Sequence, residues 1–138
     1  MGLDKLLYFD ELEKLELPKD DFVIYGSAPL VIRGLKEKNS DIDILVREKL
    51  WNELTKKYPV QIGIGFGNTY RKYIELGHIE IDPALGDFTD NIDLIIDRAD
   101  ELNGYRVMKL EDMIKLKEHM GREKDLVDLK NMNIKRNL

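Results

Sequence analysis

The sequence lacks cysteine altogether, and its 138 residues include only two histidines and one glutamine. A disulfide framework and a thiolate metal site are therefore excluded, and two isolated histidines do not make a histidine-rich metal site. No apolar run approaches the ~20 residues that a membrane-spanning helix needs. The first residues soon turn acidic, unlike a signal peptide. We therefore expect a protein without membrane association, located in the cytoplasm.

An excess of positive charge is also lacking, because 22 lysines and arginines stand against 27 aspartates and glutamates, a formal net charge of −5. This balance argues against broad binding of nucleic acids through a basic surface. Charged residues make up 36% and hydrophobic residues 43%, without a low-complexity run, which predicts one folded domain over residues 1–138. Abundant glutamate and lysine with scarce glutamine are typical of thermophilic proteins.

A glycine–serine pair follows the first apolar run of the chain. Phe22–Tyr25 is predicted to be a buried strand that ends in a turn at Gly26 and Ser27. Residues 28–34 then read as a short helix, with Pro29 in its first turn, where a missing N–H costs nothing. Free backbone N–H groups, a hydroxyl and the small glycine predict a phosphate-binding position at the start of this helix.

Two aspartates mark the second predicted strand, residues 41–46. Because side chains alternate along a strand, Asp41 and Asp43 point to one face while Ile42 and Ile44 point to the core. Two like charges at this spacing repel each other unless a cation screens them, and aspartate is a poor strand former. Beside a phosphate-binding turn, such a pair favours binding of Mg²⁺ with a nucleoside triphosphate.

A third carboxylate is expected on the strand predicted for residues 78–82. Glu80 and Asp82 share one face of this strand by the same alternation. We favour Asp82, because it lies where the strand ends before Pro83 and because its side chain is shorter and stiffer. Glu80 is the alternative.

The remaining pattern predicts an α+β fold with a mixed sheet flanked by helices. The segments 70–76 and 78–82 read as a hairpin about Gly77, so some strands pair antiparallel. The glycine-rich stretch 63–67 predicts a strand bend, and residues 87–103 fit either helix or strand. The other expected helices are 3–16, 49–57, 110–120 and 124–132, and the other expected strands are 60–64 and 105–108. Asp125 and Asp128 are expected to pair with Arg122 or Lys124.

Residues 22–46, reading FVIYGSAPLVIRGLKEKNSDIDILV, resemble the nucleotidyltransferase superfamily that includes DNA polymerase beta. The shared pattern is a hydrophobic residue before Gly-[Gly/Ser], then Asp-hydrophobic-[Asp/Glu], and later one more acid between hydrophobic residues. Residues 109–129 are also similar to the end of AbiEii-like transferases, where a Lys-x4-Arg pair lies near the nucleotide.

The resemblance implies a palm-like fold and transfer of a nucleoside monophosphate from an NTP to a hydroxyl, with release of pyrophosphate. Two Mg²⁺ ions would serve as cofactors, with Mn²⁺ as a substitute. The residues at the family's catalytic and metal positions are Asp41, Asp43 and Asp82, and those at its nucleotide-binding positions are Gly26, Ser27, Lys117 and Arg122.

The acceptor stays open among RNA, protein and a small molecule. Two other classes of function fit the same residues. One is a nucleotide-binding module without catalysis, and the other is an interaction protein, such as half of a toxin–antitoxin pair. Self-association or a protein partner is a further expectation.

Overall fold

A mixed β-sheet with helices on both faces forms the centre of the protein. The computed structural model describes residues 2–64 and 70–136. Its strands are β1 (Phe22–Tyr25), β2 (Ile42–Val46), β3 (Gln61–Ile64), β4 (Tyr70–Leu76), β5 (Ile79–Asp82), β6 (Asp100–Leu102) and β7 (Tyr105–Val107). Its α-helices are α1 (Phe9–Lys14), α2 (Ala28–Ile32), α3 (Glu48–Leu54), α4 (Ile92–Asp97), α5 (Leu110–Met120) and α6 (Glu123–Arg136), with 3₁₀ turns at Gly2–Lys5 and Lys19–Asp21.

The order of the strands in the sheet is β3-β4-β5-β2-β1-β7-β6. Strand β2 pairs antiparallel with β1 and parallel with β5, while β4 pairs antiparallel with both β3 and β5. Strand β7 pairs parallel with β1 and antiparallel with β6. The expected mixed α+β architecture is thereby confirmed. The hairpin about Gly77 is confirmed too, with a positive φ of 61° at that glycine.

Alternation along the central strands gives the sheet two different faces. Ile42 and Ile44 of β2 lie in a core that also contains Ile79 and Ile81 of β5, together with leucines of α1 and α3. Leu45 lies on the opposite face, in a second core formed with α4, α5 and α6. The acidic residues between the isoleucines therefore share the face that carries α5 and α6.

The predicted helix over residues 3–16 is wrong as one element. A 3₁₀ turn at Gly2–Lys5 is separated from α1 by residues 6–8, and Tyr8 among them has a φ of 68°. The buried amide of Asn39 explains the break, because it accepts from Leu7 N–H and donates to Leu7 C=O, both at 3.0 Å. These bonds take the place of helical ones, and Leu7 stays 43% exposed.

The last two predicted helices are confirmed, and the second runs longer than expected. Gly121 ends α5 with a φ of 58°, in the left-handed region that glycine favours. The ambiguous stretch 87–103 contains both α4 and β6. Of the glycine-rich stretch 63–67, residues 65–67 lie outside the described part of the chain. No helix in the described ranges is long and apolar enough to cross a membrane.

Candidate metal and nucleotide site

Three carboxylates meet on the α5/α6 face of the sheet. Asp43 on β2 lies directly opposite Glu80 on the neighbouring parallel strand β5, and Asp82 follows two residues later on the same face. Each offers an oxygen, and these oxygens all lie within 4.8 Å of one another. Both alternatives for the third carboxylate, Glu80 and Asp82, are therefore next to Asp43. A group of three carboxylate oxygens matches what Mg²⁺ and Mn²⁺ prefer as ligands.

The electrostatics of this carboxylate cluster favour a bound proton at neutral pH. Burial raises the pKa of Asp43 to about 9, and its hydrogen bond with Glu80 adds to the shift. Burial also raises the pKa of Asp82 to about 6. The pKa of Glu80 is lowered, because its hydrogen bonds with Asp43 and Arg71 outweigh the opposing effect of burial. A proton held between Asp43 and Glu80 is what a divalent cation would displace.

Asp82 is held through both of its oxygens. The hydroxyl of Tyr25 donates to Oδ2 at 2.6 Å, and the guanidinium of Arg71 contacts Oδ1. Burial and the charge of Asp82 raise the pKa of Tyr25 well above its ordinary value, so this hydroxyl remains a donor. Arg71 Nη2 also lies 3.0 Å from Glu80 Oε2. The cluster thus carries one resident positive charge.

Asp41 lies at the wall of the same cleft, just before β2 begins. Its backbone carbonyl accepts a hydrogen bond of 3.0 Å from the side chain of Asn39. Burial raises the pKa of Asp41, and the negative charge of Glu80 adds to this. Among the described residues, the carboxylates clustered with Asp43 come from β5, and Asp41 is not one of them. Metal binding by Asp41 stays a prediction.

Gly26 and Ser27 lie between β1 and α2, as expected, and Tyr25 just before them pairs with Asp43 across the two strands. Gly26 has a φ of 75°. The hydroxyl of Ser27 accepts from Lys36 Nζ at 3.3 Å. The predicted phosphate-binding turn is therefore one strand away from the carboxylates and next to a lysine.

Glycine is required at position 26 for two reasons, its left-handed backbone and its close contact with Asp43. A Cβ at this position would lie 3.0 Å from Cγ of Asp43 and closer still to Oδ2. Gly34 has a similar φ of 73°, but an added Cβ there would meet no described atom within 4 Å. Substitutions at the two positions share the same backbone strain, and only the substitution at Gly26 adds a steric clash.

We expect Gly26→Ala to destabilise the protein more than Gly34→Ala, as measured by urea unfolding. Gly34→Ala should lose about 1–2 kcal/mol from the left-handed backbone alone. Gly26→Ala should lose at least about 1 kcal/mol more, because its methyl group displaces the Asp43 carboxylate. Equal losses in the two variants would contradict the close packing of Gly26 against Asp43.

Lys117 and Arg122 belong to a network of charges between α5, α6 and the segment after α2. Lys117 Nζ is buried, 3.0 Å from Asp128 Oδ2 and 3.7 Å from Asp125 Oδ1. Arg122 Nε lies 2.7 Å from Asp125 Oδ2, and Lys36 Nζ lies 3.4 Å from Asp128. The expected pairing of Asp125 with Arg122 is confirmed, whereas Asp128 pairs with the two lysines. Three cations and two anions leave this network with one net positive charge.

One cleft of about 1110 Å³ borders the carboxylate cluster, Gly26 and part of the charged network of α5 and α6. It is lined by Gly26, Asp41 and the carboxylate cluster on one side and by Lys117, Arg122 and Lys124 on another. An acidic cluster beside a basic wall is a suitable arrangement for a metal ion with a polyphosphate. The cleft is large enough for a nucleotide-sized ligand.

Sequence reasoning missed three polar neighbours of the site: Tyr25, Arg71 and Lys36. The sequence does contain a signal for Tyr25, because a tyrosine hydroxyl at the end of a buried apolar strand needs a hydrogen-bond partner. Alternation along β4 also places Arg71 on the face opposite to the buried Ile74, which is the face of the carboxylates. Lys36 lies in a connecting segment where no periodicity marks it.

Comparison of the chain with known protein families, with curated proteins and with solved structures finds no match.

Proposed function

We propose that this protein is a metal-dependent nucleotidyltransferase that moves a nucleoside monophosphate from an NTP to a hydroxyl acceptor. The observation that carries the proposal is the meeting of Asp43, Glu80 and Asp82 within 4.8 Å, in a cleft whose other wall is basic. The palm-like identity of the fold belongs to the same proposal. It is supported by the Gly-Ser turn next to the aspartate strand in a mixed sheet.

The residues have separate tasks in this proposal. The carboxylate cluster would hold Mg²⁺ or Mn²⁺, with Asp41 as a further candidate ligand at the edge of the cleft. When bound, the metal would polarise the phosphate and lower the pKa of the acceptor hydroxyl. Gly26 and Ser27 would receive the triphosphate, and Lys117 and Arg122 would offset its charge.

Tyr25 has a positioning task. Its hydroxyl donates to Oδ2 of Asp82 at 2.6 Å and would hold that carboxylate in position for the metal. Such fixed carboxylates need little reorganisation during the reaction.

The proposal is tested by binding and transfer together. Purified protein is titrated with each Mg²⁺–NTP by calorimetry, and α-³²P-labelled NTPs are incubated with total RNA, protein and small hydroxyl compounds. We expect binding that requires Mg²⁺, transfer of label to one acceptor class, and weaker binding with much slower transfer in Asp43→Asn. Lack of Mg²⁺-dependent NTP binding by the unchanged protein would overturn the proposal.

A nucleotide-binding or partner-binding protein without catalysis is the second candidate. One observation favours the partner-binding form of it: strand β3 at the sheet edge exposes Ile62 (67%) and Ile64 (73%). Tyr70 (85%) pairs with Ile64 across β3 and β4, so these side chains form a contiguous exposed apolar patch, which is the kind that marks a protein contact. Mg²⁺–NTP binding without transfer to any acceptor would favour this candidate.

A further inference from the structure

Arg71 stands apart from the other cations of the cleft, because it reaches into the carboxylate cluster itself. Its Nη2 contacts Asp82 Oδ1 and lies 3.0 Å from Glu80 Oε2. One guanidinium nitrogen thus lies between two of the three carboxylates that would hold a metal. The network of Lys117 and Arg122 uses different aspartates.

The reason for this contact is the cost of uncompensated buried charge. The side chain of Asp82 is only 4% exposed, and a buried carboxylate without a partner destabilises a fold strongly. Arg71 supplies the missing charge from a side chain that is itself 35% exposed. A side chain with that much contact to solvent can leave the cluster without unfolding the strand that carries it.

The neighbours of Arg71 on β3 and β4 leave room for its side chain and support its guanidinium group. Gly63 is its partner on β3, and a Cβ there would lie 3.9 Å from Arg71 Cγ and 3.3 Å from Tyr73 Cε1. The guanidinium carbon lies 4.3 Å from the ring centroid of Tyr73. A stacked arginine on a strand holds its planar group in one orientation at low entropic cost.

We propose that Arg71 is the resident counter-cation of this site, and that a divalent metal binds only by displacing its guanidinium from Glu80 and Asp82. The inference rests on the proposed metal site. A guanidinium and a divalent ion compete for the same two carboxylates, so each weakens the binding of the other. The site then has a low affinity for bare metal ions until Arg71 moves.

The test is the affinity for bare Mn²⁺, measured by electron paramagnetic resonance of the free ion at pH 7.5. Arg71→Met should bind Mn²⁺ at least tenfold more tightly than the unchanged protein. The matched control is Arg47→Met, since Arg47 also pairs with aspartates, Asp93 at 3.0 Å, Asp97 at 2.6 Å and Asp21 at 3.6 Å, but does not line the cleft. Its Mn²⁺ affinity should stay within twofold of the unchanged protein.

The possible outcomes separate this proposal from the proposed function. If Arg71→Met binds Mn²⁺ equally well or more weakly, while the unchanged protein binds it clearly, the proposed displacement of Arg71 is wrong. The proposed metal-dependent function is then unaffected. Binding in neither protein overturns both. If Arg47→Met also binds Mn²⁺ more tightly, the change in net charge alone explains the effect. The proposed displacement of Arg71 is then wrong.

A second measurement avoids the risk that Arg71→Met fails to fold. The Nε–H signal of Arg71 is identified in the NMR spectrum of the unchanged protein by its loss in Arg71→Lys. The contacts with Glu80 and Asp82 should slow rotation of the guanidinium group in the metal-free protein. Saturating Mg²⁺ should shift the Nε–H signal and make this rotation fast. If the Nε–H signal of Arg71 is unchanged at saturating Mg²⁺, the proposed displacement of Arg71 is wrong.

Discussion

Replacing Asp43 by asparagine is expected to lower the rate of nucleotidyl transfer by about a thousandfold, which corresponds to about 4 kcal/mol of transition-state stabilisation. The variant keeps the size of the side chain but loses the carboxyl group that would give up its proton to a bound metal, at the position where β2 faces Glu80. Single-turnover measurements with the acceptor found in the labelling assay provide the rate. A loss of less than tenfold would remove Asp43 from the reaction.

The same variant should remain folded, and its stability should depend less on pH. The folded protein keeps the proton of Asp43 up to a pH of about 9, whereas an unfolded chain releases it near pH 3.9. Between these values the folded state binds the extra proton, so the free energy of unfolding falls as the pH rises. Asparagine has no proton to lose and can still donate a hydrogen bond to Glu80.

Urea unfolding without metal from pH 6.5 to 9 isolates this effect. Asp82, with a pKa of about 6, is mostly ionised across that range, and Glu80, with its lowered pKa, is fully ionised. The unchanged protein should lose at most about 1.4 kcal/mol per pH unit, and Asp43→Asn clearly less. The difference in unfolding free energy should therefore shift in favour of the variant as the pH rises towards 9. Equal slopes in the two proteins would contradict a protonated Asp43.

Local patterns were enough to predict most of the sheet and one face of the site. Alternation separates Ile42 and Ile44 from Asp43, and β1, β2, β4 and β5 all lie where the apolar runs and the hairpin glycine predict them. These features depend on neighbours within a few residues. A strand face is fixed by its own sequence once burial of the other face is known.

The pairing of strands that are distant in sequence could not be predicted in this way. Nothing between β2 and β5 indicates that they are parallel neighbours with Asp43 opposite Glu80. The preference for Asp82 over Glu80 therefore rests on strand position and side-chain length alone, and both residues lie in the cluster. The N-terminal break has the same origin, because Asn39 competes for the backbone of Leu7 from 32 residues away.

Removing the charge of Lys117 should destabilise the protein strongly, because its ammonium group is buried between two aspartates. Lys117→Met keeps the apolar stem but leaves Asp125, whose side chain is 1% exposed, and Asp128, at 11%, with one fewer cation. Breaking a buried ion pair from one side typically costs 3–5 kcal/mol. Because Arg122 and Lys36 remain as partners, we expect a loss of about 3 kcal/mol in urea unfolding.

The matched control is Lys36→Met, because Lys36 contacts the same Asp128 carboxylate from a side chain that is 34% exposed. Its loss should be about 1 kcal/mol or less, as for partly exposed pairs in general. Both variants lower the net charge equally, so the difference between them reports the burial of Lys117. If Lys117→Met instead loses less than about 1 kcal/mol and binds Mg²⁺–NTP at least tenfold more weakly, its ammonium group serves the phosphates rather than the aspartates of α6.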